Sequence, residues 1–286
     1  MGGFFFFFFS IKIKIEGIVL LKQQELMPRV KELVQLDERI SACMMYGSFT
    51  KGEGDQYSDI EYYVFLKDDT ISTFDSAKWL NEVASYHLLY QNEYGTEVVI
   101  FENLIRGEFH FLSESEMNII PSFKESGYIP DKKAMFIYDE TGQLELYLSE
   151  LEGPGPNRLT EENVNFLLNN FSNLWLMGIN VLKRGEYARS LEILSQLQKN
   201  ILQLIRIAEE NADNWFNMTK NLEKEISPEN YEKFKKTTAR LNELELYEAY
   251  KNSLLLVMEF RNLVEKQYQL TVSDDFLGKL FNYMNE

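Results

Sequence analysis

Apolar and polar positions follow two different rhythms along this chain, and the change of rhythm divides it. Up to residue 152 the apolar runs are short and bounded by Gly, Pro, Asn and Asp. Such runs predict strands, here over 41–46, 60–66, 96–102, 108–112 and 134–139. Leu26, Val30, Leu33 and Val34 recur at helical spacing instead and predict a helix over 26–36. A second helix is expected over 74–90, where Leu80, Val83 and Ala84 share one face. Past residue 156 the helical period takes over, predicting helices over 161–184, 187–211, 228–237 and 244–268. Thr160 stands where an N-cap belongs, and Gly185 separates the first two of these helices. Leu191, Leu194, Leu197, Ile201, Leu204, Ile205 and Ala208 form a stripe wide enough for a bundle core.

Gly153-Pro154-Gly155-Pro156 is the strongest break between the two regimes. The expected fold class is α+β. A mixed sheet with helices on one side would occupy 21–153, and a C-terminal helical bundle 157–286. Residues 1–20 match neither part. Phe4 to Phe9 is a phenylalanine run, an aggregation hazard if exposed, and Ile11 to Glu16 alternates apolar with charged. A signal peptide places its charges before the apolar stretch, and here the order is reversed. The segment reads as a non-native or upstream extension, with membrane contact as the alternative. A chain beginning near Leu20 is expected to fold and keep its activity. Loss of either, measured by melting and by turnover, would make the extension a structural element.

Length and charge narrow the function classes. A chain of 286 residues accommodates two domains and an ordinary core. A formal charge of -16 argues against broad nucleic-acid binding, which needs a basic face. It favours a cationic small ligand, and it does not oppose a single nucleotide whose phosphates meet a divalent ion and a few basic residues. The one cysteine, Cys43, lies in an apolar strand, reads as a small buried hydrophobe and fits a reducing cytoplasm. No apolar run reaches the length of a bilayer span.

The candidate chemistry lies between Gly47 and Glu61. Gly47-Ser48 follows the first strand directly, and a small-residue turn there lets backbone N–H groups approach a phosphate. Asp59 and Glu61 are two positions apart at the next strand, so their carboxylates share one side. Neighbouring carboxylates repel, and hard oxygen ligands at this spacing suit Mg²⁺. An acidic hairpin with a solvated face is the plainer alternative. The stretch is not a Walker loop, since the Gly-Lys-Ser/Thr ending is absent.

Gly-Ser, a glycine-bearing loop and Ser-Asp-Ile-Glu entering a strand resemble the signature of polymerase-β-like nucleotidyltransferases. Residues 44–55, 92–101 and 174–180 resemble more narrowly the bacterial lincosamide nucleotidyltransferases, a likeness running from about Leu21 to the C-terminus. The resemblance implies transfer of AMP from ATP, with Mg²⁺, to a sugar hydroxyl of lincomycin or clindamycin. It makes Asp59 and Glu61 metal ligands and puts Gly47 and Ser48 on the triphosphate. Lys51 and Lys183 are further phosphate candidates, or plain surface. It also implies a third carboxylate, the general base, on a nearby strand.

Glu108 is the preferred base. It shares a strand face with His110, opposite Phe109 and Phe111, and Gly107 is read as leaving room for a bulky acceptor. Its plainer reading is a rim residue paired with Arg106. Glu97 is the alternative base and otherwise a substrate-binding residue, together with His110, Tyr46 and Tyr94. Tyr62, Phe109 and Trp175 either extend an aromatic wall for the antibiotic or belong to the core. An aminoglycoside acceptor is the enzymatic alternative. A non-catalytic antitoxin or binding module is the other, although no histidine follows His110 to supply the nuclease chemistry of such partners. A homodimer is expected through the apolar surface of 244–268.

Overall fold

The computed structural model describes residues 21–126, 129 and 131–286. Residues 1–20, with the phenylalanine run, lie outside the described residues. Two compact units are present. The first reaches Pro121 and resumes up to Glu152; the second comprises Ser122–Ile129 and Gly153–Glu286.

The first unit is built on a mixed sheet, as expected, with six strands where the apolar runs predict five. Helix α1, Gln23–Leu36, buries the expected Leu26, Val30, Leu33 and Val34. Strand β1, Ile40–Tyr46, leads to a short 3₁₀ turn over Ser48–Lys51, and β2 is Ile60–Leu66. Helix α2, Ser76–Val83, starts where the Asp75 carboxylate accepts a hydrogen bond from the Lys78 N–H. Strands β3, Tyr86–Gln91, β4, Glu97–Phe101, and β5, Arg106–Ser113, follow. A 3₁₀ stretch over Glu114–Ser126, helix α3, Lys132–Met135, strand β6, Phe136–Asp139, and helix α4, Gln143–Glu150, complete this part of the chain. The strand order is β3-β4-β5-β2-β1-β6, with β2 and β5 parallel and every other pair antiparallel.

The helix expected over 74–90 is two elements. Ala84 is extended and closes α2, and β3 pairs with β4 at the sheet edge. Leu88 follows Ala84 at helical spacing, so the apolar pattern runs on unbroken. The ladder with β4 decides for a strand, because edge pairing satisfies backbone groups that a lone helical turn leaves open. Arg106 and Gly107, read as a turn, are the first residues of β5.

Alternation along β2 and β5 separates two faces. Ile60, Tyr62, Val64 and Leu66 join Phe109, Trp79, Leu80 and the apolar side of α1 in one buried cluster. The intervening Glu61, Tyr63, Glu108 and His110 are half-buried on the opposite face. Burial in that cluster raises the Cys43 thiol far above its usual range, so it is a small hydrophobe there.

The second unit is helical. Helix α5, Glu161–Lys183, begins at Thr160, whose hydroxyl accepts from the Asn163 N–H. Helices α6, Tyr187–Ala208, α7, Leu222–Glu225, α8, Pro228–Lys235, α9, Glu243–Val264, and α10, Asp274–Asn285, follow. Leu194, Leu197, Ile201, Leu204 and Ile205 of the predicted stripe are buried, with Leu191 and Ala208 at its edge. Trp175 is fully buried here and donates its indole N–H to the Tyr250 carbonyl at 2.9 Å. No helix of the described residues is long and apolar enough to cross a membrane.

Candidate active site

Strand β1 ends in Gly47, whose φ of +88° lies in the region that favours glycine. The Thr50 N–H and hydroxyl both donate to the Gly47 carbonyl, at 3.2 and 2.8 Å, and tighten the turn. The Glu61 carboxylate lies directly against Gly47, so a Cβ there would overlap it. Glycine is therefore required both for the backbone angle and for the space. Gly47→Ala is expected to cost about 1–3 kcal/mol of strain and to push Glu61 out of place. Gly52→Ala, at φ +71° with open space around it, meets the angle alone. Melting and turnover measured on both variants should show activity falling much further at Gly47. Equal losses would mean that the Glu61 contact is unimportant.

Beside this turn the Ser48 hydroxyl is buried with no hydrogen-bond partner among the described residues. A buried hydroxyl without a partner is costly, and a phosphate oxygen is a fitting one. Lys51 ends the same turn.

The carboxylates meet through strand register. Tyr46 of β1 pairs with Glu61 of β2, Glu61 with Glu108 of β5, and Glu108 with Val98 of β4. Paired residues share a face, and adjacent strands lie about 4.8 Å apart, so Glu61 and Glu108 are side by side. Asp59 stands one residue before β2. Arg106 donates from Nη1 to Asp59 Oδ2 at 2.6 Å and from Nη2 to Glu108 Oε1. The pairing of Arg106 with Glu108 is thus present, and it extends to Asp59. Burial opposes the charge on Arg106, but Glu108 and Asp59 more than offset it, and its pKa is raised.

This donor set fits Mg²⁺. Its atoms are hard carboxylate oxygens, and Asp59 and Glu108 converge on the Arg106 guanidinium. Asp59 and Glu61 are the residues that would hold the ion. Among the described residues no three His, Cys, Asp or Glu side chains form a metal cage.

An aromatic row flanks the acidic residues. His110 stacks on Tyr63 with centroids 4.1 Å apart and planes at 4°, and Tyr63 meets Tyr46 edge-on at 6.4 Å. The Nδ1 atom of His110 is 3.3 Å from the Thr96 hydroxyl. Burial lowers the His110 pKa, with the Glu108 charge opposing, and so favours the neutral ring. Burial, then Tyr46, Glu61 and Glu108, push the Tyr63 hydroxyl up to about 12.

Other candidates are placed elsewhere. Glu97 pairs with Phe109, so it faces the α1–α2 side, opposite to Glu108. There its Oε1 accepts from the Ser76 hydroxyl at 3.0 Å. Tyr94 is exposed in the turn between β3 and β4. Tyr62 and Phe109 stack on each other within the core, and Trp175 belongs to the helical core. Lys183 donates to the Tyr283 carbonyl at 2.8 Å and lies over that ring, which ties α5 to α10. Gly107 offers an acceptor no room: a Cβ on it would crowd Phe109 and Val99 at 2.9 Å. Its glycine serves close packing on the core face. Sequence reading missed the reach of Arg106 to Asp59 and the place of Tyr63. The signal for Tyr63 was available, since it follows Glu61 by two on the same strand.

Residues 160–283 match the family described as lincosamide nucleotidyltransferase-like, C-terminal domain. No curated protein matches the chain. Two solved structures align with it over most of its length. An aminoglycoside 6-adenyltransferase from Bacillus subtilis is 14% identical with a TM-score of 0.42, covering 93% of this chain and 98% of that one. A nucleotidyltransferase-like protein from Exiguobacterium sibiricum is 12% identical with a TM-score of 0.36, covering 92% of this chain and 88% of that one.

Proposed function

We propose that this chain, whose residues 160–283 match the lincosamide nucleotidyltransferase-like C-terminal domain, transfers AMP from ATP to a sugar hydroxyl of a lincosamide. The observation that carries the reading is the meeting of Glu61 and Glu108 at one register position, beside the Gly47–Ser48 turn. The lincosamide acceptor rests on the family of the C-terminal domain.

In this reaction the acceptor oxygen bonds to the α-phosphorus. The bond from that phosphorus to the oxygen bridging the β-phosphate breaks, and pyrophosphate leaves with the electron pair. The chain's residues divide the work. The Ser48 hydroxyl and the Gly47 turn bind triphosphate oxygens, with Lys51 as a nearby positive charge. Mg²⁺ held by Asp59 and Glu61 would supply charge neutralisation on the phosphate. Glu108 accepts the proton of the attacking hydroxyl. Arg106 holds the Glu108 carboxylate in place and brings a positive charge beside the reacting phosphate. The stacked Tyr63 and His110 rings, with Tyr46 edge-on to Tyr63, form an aromatic surface for the acceptor.

Mass spectrometry of clindamycin incubated with the protein, ATP and Mg²⁺ tests this reading. The expected product is the antibiotic heavier by one AMP, with pyrophosphate released. AMP found on an aminoglycoside and never on a lincosamide would move the acceptor to another class. Transfer to neither would remove the reading.

A further inference from the structure

We propose that a cavity beside the Gly47–Ser48 turn, lined by Lys132, Lys133, Phe136, Glu145 and Leu148, seats the base and ribose of the nucleotide. The inference rests on the nucleotidyltransferase reading and adds where the nucleoside goes.

Position is the first argument. Phe136 of β6 pairs with Met44 of β1, two residues before Tyr46, which pairs with Glu61. By this register Phe136 lies on the Glu61 side of the sheet. It is also at the end of β6 nearest the Gly47 turn, because β6 runs antiparallel to β1. Helix α3, which carries the two lysines, packs against both β1 and the 48–51 turn. The cavity and the candidate phosphate turn are therefore neighbours within one unit.

Chemistry is the second. The cavity volume is about 290 Å³, near the lower end for small-molecule sites and suited to part of a nucleotide. Phe136 is 41% exposed, a large ring left open on the functional face. A flat base stacks on such a ring, and Leu148 adds a second apolar contact. The lining carries both signs of charge. Lys132 pairs with Glu152, while no carboxylate among the described residues pairs with Lys133. The lysines belong to α3, the element that packs against the 48–51 turn, where polyphosphate would lie. Glu145, from α4, offers an acceptor to an amino group on the base and repels phosphate. An aromatic ligand that carries both anionic charge and an amino group fits this lining, and ATP has that form.

Titration calorimetry with ATP and Mg²⁺, on the full chain, tests the assignment. Phe136→Ala should weaken ATP binding about 10-fold or more, and Phe136→Tyr should restore it. Lys133→Gln should weaken ATP but leave adenosine binding unchanged. The KM for clindamycin should stay constant in all three variants. Wild-type ATP affinity in a folded Phe136→Ala variant would overturn the inference, as would a raised clindamycin KM with ATP unaffected. If Phe136→Ala does not fold, Phe136→Trp replaces it. Its fluorescence should change and saturate with ATP, and no response would equally overturn the assignment. Where the wild type binds ATP and transfers AMP but these variants behave like it, only the nucleoside site falls. Where the wild type binds no ATP, the functional reading falls with it.

Discussion

Asp59→Asn and Glu61→Gln are each expected to reduce AMP transfer by about 10³-fold or more and to leave the fold standing. Both changes keep side-chain size and remove a charge. Neither residue belongs to the buried cluster between α1, α2 and the sheet, so packing is untouched. Asp59 does lose its pairing with Arg106, but both side chains of that pair are well exposed, at 32% and 45%. Exposed pairs of this kind contribute about 0–1 kcal/mol. Melting temperature should therefore shift little while turnover collapses. Initial rates of clindamycin adenylylation, with Mg²⁺ present, measure the loss. Wild-type turnover in either variant would remove the metal assignment from that residue.

Glu108→Gln should lower kcat by about 10²–10⁴-fold, with ATP affinity nearly unchanged. A base acts only while the acceptor proton leaves, so its removal affects the transition state and spares nucleotide binding. Geometry favours Glu108 because it is the register partner of Glu61 on the adjacent parallel strand. Glu97→Gln should change turnover much less. Its carboxylate is on the other face of the sheet, with Ser76 as its partner. A loss at Glu97 exceeding that at Glu108 would reverse the assignment. Single-turnover rates and ATP binding, measured on both variants, decide between them.

The kinds of element, and most of their order, were legible in the chain. Apolar spacing alone located β1, β2, β4, β5 and the long helices α5, α6 and α9. The Gly47-Ser48 turn and the Asp59/Glu61 pair were legible too, because they sit at the joint between two strands whose bounds the pattern marks. These are short-range facts, set by residues within a turn or a pleat of each other. The preference for Glu108 over Glu97 could not be secured that way. Both stand in apolar strands, and a shift of one residue in pairing exchanges their faces. The ladder placing Glu97 opposite Phe109 separates them, and it forms between segments with no local signal for each other.

The same holds for Arg106 reaching Asp59, 47 positions away, and for Lys183 settling on Tyr283. It holds for Gly107, which the chain alone shows as open space and the folded sheet fills with Phe109 and Val99. It holds for β3, whose apolar spacing continues that of α2 until β4 pairs with it. Local periodicity determines what each segment can become. Which strands pair, and therefore which carboxylates share a face, depends on the apolar area and backbone hydrogen bonds summed over the whole sheet, a quantity that no single segment carries.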